Sequence, residues 1–246
     1  MSRLARDPRV EALVCAYRAD LEAAGMFAEN EVTSPARSFL LRVGADGWAA
    51  MTLDQQLAVR GHDRRLVAWL IVTGRVRATA EYLVASKLRV GKVAAGIYRE
   101  FHLRFHQVAA ELGFDPKSAE LQWWAVAKVA ALAGVPPERL TKAQLDAGRE
   151  QLLAATHRLH PDHPMRVRPV TTRLHGAEAT LFNAGVIDSP PRNTTGTSPQ
   201  LVHSSGRRPR RGYAPRSRDT SDRCASRSDR PRWFASRRSC ASSLSG

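Results

Sequence analysis

From Leu121 to Gly134 the chain reads L-Q-W-W-A-V-A-K-V-A-A-L-A-G, with Lys128 as its sole charge. No Pro or internal Gly interrupts the run, and Asp115-Pro116 ahead of it supplies N-cap and N1 chemistry. The segment is therefore a helix that is apolar nearly all round, and such a helix must be covered on every side. That requirement excludes a short or extended chain. With 246 residues and 43% apolar content, the sequence has material for a sizeable core.

Other helices are legible by spacing and punctuation. Val10, Leu13, Val14, Tyr17 and Leu21 lie on one helical stripe between Pro8 and Gly25. Ser34-Pro35 reads as an N-cap and N1 pair before a short helix ending near Gly44, and Thr52 with Gln55 as a capping box. Asp63 to Gly74 is so continuously apolar that helix and buried strand both fit. Thr79 to Leu88 reads as a short helix. Ile97, Phe101, Phe105, Val108 and Leu112 form a ladder predicting one helix from Val93 to Gly113. Thr141 and Gln144 make a second capping box for a helix carrying Leu145, Leu152, Leu153 and Leu159 despite Gly148. A proline-rich loop spans Pro161 to Pro169, and a last helix runs from Thr171 or Thr172 to Gly185. No stretch alternates like a hairpin strand, so the expected fold is all-α: a single multi-helix domain with a disordered basic C-terminal tail.

The tail is defined by composition. Residues 192–246 hold 13 Arg, no Lys, 12 Ser and three acids, a net +10, against +5 for residues 1–191. Apolar residues there are too sparse to offset the ordering entropy of a core. Its arginines, chiefly Arg207, Arg208, Arg210, Arg211, Arg216 and Arg218, are candidates for salt-sensitive contact with nucleic-acid phosphates, with Tyr213, Trp233 and Phe234 available for stacking. An Arg/Ser-rich, Lys-free segment is also what GC-rich coding DNA yields when translated out of frame. The expected organisation is N-terminal helices over 1–47, a helical region over 48–191, and the tail over 192–246.

Leu121 to Leu145 has the parts of a helix-turn-helix. The second helix offers Lys142 and Arg149 as DNA-contacting candidates, but Asp146 and Glu150 share its solvated turns, and Pro136-Pro137 stiffens the connection. A core hairpin fits better than a recognition helix. His102 and His106 stand at i, i+4, yet Leu103 occupies the position where a zincin has Glu, so the pair reads as a polar helix face. His157, His160 and His163 are separated by prolines. Phosphate-loop, dinucleotide and nucleophile-elbow motifs do not occur. The expectation is no cofactor, no metal and no catalytic set.

Cys15, Cys224 and Cys240 form no CxxC pair, which fits a reducing cytoplasm. The charged N-terminus carries no apolar signal region, and Leu66 to Val72 is far short of the ~20 residues of a membrane span. No membrane partner is expected.

W-L-I-V-T-G-R at Trp69, E-Y-L-V-A at Glu81, E-F-H-L-R-F at Glu100, A-A-E-L-G-F-D-P at Ala109, A-K-V-A-A-L-A-G-V-P-P-E-R-L-T at Ala127 and G-A-E-A-T-L-F-N-A-G-V-I-D-S-P-P-R at Gly176 together resemble the N-terminal region of actinobacterial phage-type integrases, the site-specific tyrosine recombinases. The resemblance covers roughly residues 48 to 192. It implies a helical region ahead of a DNA-clamping core-binding domain and a catalytic domain with two Arg, a Lys, His residues and a Tyr nucleophile. The catalytic set has no counterpart here. Phe105 stands where the HxxR box beginning at His102 needs Arg, Arg173 and His175 are too close together to stand for the separated Arg and His, and Tyr213 follows no box. The resemblance thus implies a truncated, non-enzymatic fragment making an accessory contact to DNA or to another recombinase subunit. A helical protein-interaction module without a DNA role is the alternative, and a helix-turn-helix regulator the third. A half-exposed Trp pair beside Arg104 and Lys128 would favour a binding groove, and full burial of Trp69, Trp123 and Trp124 would favour a scaffold.

Overall fold

In a computed structural model, residues 7–26, 30–86, 88 and 90–191 are described, and among them there are eleven α-helices and no strand. The fold is all-α, as the sequence patterning requires. The helices are α1 (Pro8–Ala23), α2 (Asn30–Arg42), α3 (Gly44–Ala50), α4 (Leu53–Ala58), α5 (Asp63–Val72), α6 (Ala80–Ala85), α7 (Val90–Ile97), α8 (Arg99–Glu111), α9 (Pro116–Ala133), α10 (Lys142–Leu159) and α11 (Val167–Asn183). The basic tail, with Arg207, Arg208, Arg210, Arg211, Arg216 and Arg218, lies outside the described residues.

The apolar helix is the hub. α9 packs against α5, α7, α8, α10 and α11, and buries Trp123, Val126 and Val129 completely. Three glycines on its neighbours make this closeness possible. A Cβ at Gly148 of α10 would sit 2.7 Å from Val129 Cγ1, one at Gly176 of α11 would sit 2.6 Å from Gln122 Nε2, and one at Gly91 of α7 would collide with Trp124 Cδ1. Gly148, a poor helix former by propensity, is therefore a packing requirement.

Local signals placed most helix starts correctly. Asp7 caps α1, Thr52 and Thr141 complete capping boxes with Gln55 and Gln144, and Asp115 accepts from the backbone N–H groups of Lys117 and Ser118. α9 ends at Gly134, whose φ of 67° is the left-handed conformation that favours glycine. The ambiguous Asp63–Gly74 stretch is helical, with all of Leu66 to Val72 buried.

Several boundaries differ from the sequence reading, and α3 (Gly44–Ala50) was not expected from it. α2 begins at Asn30, ahead of the expected start, and carries Pro35 inside it, so the missing N–H falls near the N-terminal end and costs one bond. α11 begins at Val167, with Pro169 in its first turn, where no intrahelical N–H is required. The Val93–Gly113 ladder is two helices. Tyr98 leaves helical geometry (φ −104°, ψ 47°), and its phenol donates to the Val72 carbonyl at the end of α5 over 3.0 Å. Phe101 and Phe105 point into the core, while Leu112 is 41% exposed.

The described residues before and after position 47 share one core: the buried apolar cluster extends from Val10 to Ile187. Trp69 Nε1 donates to Asp20 Oδ2 over 2.8 Å, tying α5 to α1. Among the described residues no helix is long and apolar enough to cross a membrane.

Candidate functional site

Glu120, Trp124 and Lys128 recur every four residues on α9 and form one stripe along it. The stripe joins two features, a histidine cluster at one end and a cationic cleft at the other.

At the first end, α8 supplies His102 and His106 and α9 supplies Glu120. His102 Nε2 lies 3.5 Å and His106 Nε2 3.1 Å from the same atom, Glu120 Oε2. Both ring nitrogens are shielded from solvent and face that one carboxylate oxygen. The other carboxylate oxygen, Glu120 Oε1, accepts from Trp124 Nε1 over 2.6 Å. Burial, reinforced by the neighbouring His106, pushes the His102 imidazole below its ordinary value toward the neutral form, against the pull of Glu120. Among the described residues this is the one grouping of three potential metal ligands, with donor atoms all within 4.8 Å of one another. The histidine pair was visible in the sequence as a polar face; Glu120, ahead of it in space but 14 residues beyond His106 in the chain, was not.

At the other end, α9 and α11 border a cleft. Trp124, Lys128, Leu152, Val170 and Arg173 line one part of it, and a second hollow along the N-terminal half of α9, lined by Phe114, Ser118, Met165 and Arg168, adjoins it through Leu121 and Arg173. Trp123 is fully buried, but Trp124 is 39% exposed and forms part of the wall. Trp123 instead donates its indole N–H to the Gly91 carbonyl over 2.9 Å. Burial, with Arg173 adding to it, lowers the Lys128 pKa from its ordinary value. Among the described residues no carboxylate forms an ion pair with Lys128, Arg168 or Arg173. Apolar walls carrying unmatched positive charge form a site complementary to an anion with flat, stackable surface.

The two helix candidates for DNA contact lie elsewhere. Lys142 and Arg149 both converge on Glu178 of α11, which is 1% exposed. Lys142 Nζ is 2.7 Å from Glu178 Oε1 and 2.5 Å from Asp146 Oδ1, and Arg149 pairs with Glu178 Oε2. Two cations thus face two carboxylates inside the α10–α11 junction, and the hairpin α9–α10 is packed through the core. Arg104, the other cation near the Trp pair in sequence reasoning, donates to the Ala184 carbonyl over 2.6 Å. The sequence did not single out Arg168 for the cleft, and it weighed Arg173 only for a catalytic box. Pro169 made the segment of Arg168 read as loop, while Arg173 fell within the expected last helix.

Burial pushes the phenols of Tyr17, Tyr82 and Tyr98 up to about 12, the reverse of what activates a tyrosine nucleophile. Tyr213 lies outside the described residues. No family model, curated protein or solved structure matches the chain.

Proposed function

We propose that this chain is a non-catalytic helical module of the tyrosine-recombinase type that makes accessory DNA contacts in integration or recombination. The observation that carries the reading is the unmatched charge of the α9–α11 cleft. Lys128 is largely enclosed, beside Arg173, with no acidic partner among the described residues, so its charge destabilises the fold unless an anion enters. A phosphate next to Lys128 and Arg173, with a base or sugar against Trp124, satisfies both the charge and the exposed ring. The resemblance to recombinase N-terminal regions supplies the biological setting, and the tail arginines Arg207, Arg208, Arg210, Arg211, Arg216 and Arg218 would add sequence-independent affinity. DNA work in a reducing cytoplasm suits the exposed free thiol of Cys15.

The test is fluorescence anisotropy of the full chain with labelled single-stranded and duplex DNA across a salt series. Lys128→Met with Arg173→Ala is expected to weaken binding and to reduce the slope of log K against log salt by about 2, one for each lost phosphate contact. Unchanged affinity and slope in the double variant would remove the cleft from the DNA-binding surface. In that case the helical protein-interaction reading takes its place.

A further inference from the structure

We propose that His102, His106 and Glu120 bind one divalent transition-metal ion of the zinc class, tying α8 to α9. The donor set is two imidazole nitrogens and one carboxylate oxygen, a combination suited to zinc and its neighbours and poorly suited to the all-oxygen preference of calcium or magnesium.

Geometry supports the assignment in three ways. First, donors bound to one tetrahedral zinc at ~2.0–2.1 Å stand about 3.3 Å apart. The two histidine–carboxylate separations are 3.5 and 3.1 Å, on either side of that value, while the two histidine donors stand up to 4.8 Å apart and must close together when the ion binds. Second, both Nε2 atoms are withdrawn from water and turn toward the same carboxylate oxygen, Glu120 Oε2, which they must share. Buried polar atoms are nearly always satisfied, and a cation between the three groups would satisfy both at once. Third, the carboxylate is already oriented from behind: Trp124 Nε1 donates to Oε1 and leaves Oε2 turned toward the histidines. Ligating carboxylates characteristically carry such an outer partner. Three protein ligands leave a fourth position for water, as in metal sites that remain open.

The sequence hides this site because its third ligand comes from another helix. The Asp115 cap and Pro116 fix where α9 begins, and that start sets Glu120 opposite the histidine pair. The inference does not rest on the DNA reading, and its test contains no DNA.

Zinc binding to the full, metal-stripped chain is measured by isothermal titration, alongside Glu120→Gln and His106→Gln. Glu120→Gln keeps an acceptor for Trp124 and removes the anionic ligand. One zinc equivalent per chain is expected to be lost, or weakened more than about 100-fold, in each variant, beyond the 10–100-fold range of an outer-shell change. Counting the equivalent lost separates this site from any zinc taken up by the remaining histidines and cysteines. Near-ultraviolet circular dichroism identifies a variant that has failed to fold, and Glu120→Gln alone then decides. The proposal is overturned if the native chain takes up no zinc, or if the folded variants bind as many equivalents as tightly; the cluster is then a histidine–carboxylate ion pair.

Discussion

Lys128 illustrates how one side chain can be informative because it fits poorly. Its neighbours on α9 are apolar, and Arg173 stands near it in place of a carboxylate. A methionine there would keep the stem's packing and remove a desolvated charge. Lys128→Met is therefore expected to raise stability by about 1 kcal/mol, in the range of a typical stabilising change made where function holds a residue away from the stability optimum. A shift of the urea midpoint to lower concentration would show that the lysine supports the fold and would weaken the case for an anion site. In the sequence Lys128 stood out only as the lone charge in an apolar run. Its lack of a partner depends on α11, some 45 residues later in the chain (Arg173), and no local pattern reports that.

At the scale of elements, junctions held by buried charge are the ones to probe. α10 and α11 meet through Glu178, which forms ion pairs with Lys142 and Arg149 in the interior. Glu178→Gln preserves shape but leaves two enclosed cations facing Asp146 alone, and removing one member of such a set costs about 3–5 kcal/mol. Thermal and denaturant unfolding should both show that loss; a change below about 1 kcal/mol, typical of surface pairs, would mean that solvent reaches the network. Elements were legible where their cause was local. Asp7, Thr52, Asp115 and Thr141 each cap through a side chain within three residues of its target. The break between α7 and α8 was not legible, because Tyr98 is held out of the helix by a bond to Val72, 26 residues away. Glu120 escaped for the same reason. Sequence spacing reports which residues share one helix face, but not which faces meet.

For the whole molecule, the net charge of +15 is divided unevenly, with +10 on residues 192–246. If the cleft and the tail both contact DNA, a fragment of residues 1–191 should still bind, with a log–log salt slope of about −3 for its three cleft cations, and the full chain should bind more tightly with a steeper slope. Equal affinity and slope for the two would exclude the tail arginines from binding. Trp124 gives the body itself a further property. Its N–H bonds Glu120 while its ring walls the cleft, so one side chain belongs to both features of the α9 stripe. Occupants that engage its two sides are thermodynamically linked: by whatever factor one alters the affinity for the other, the second alters the affinity for the first by the same factor.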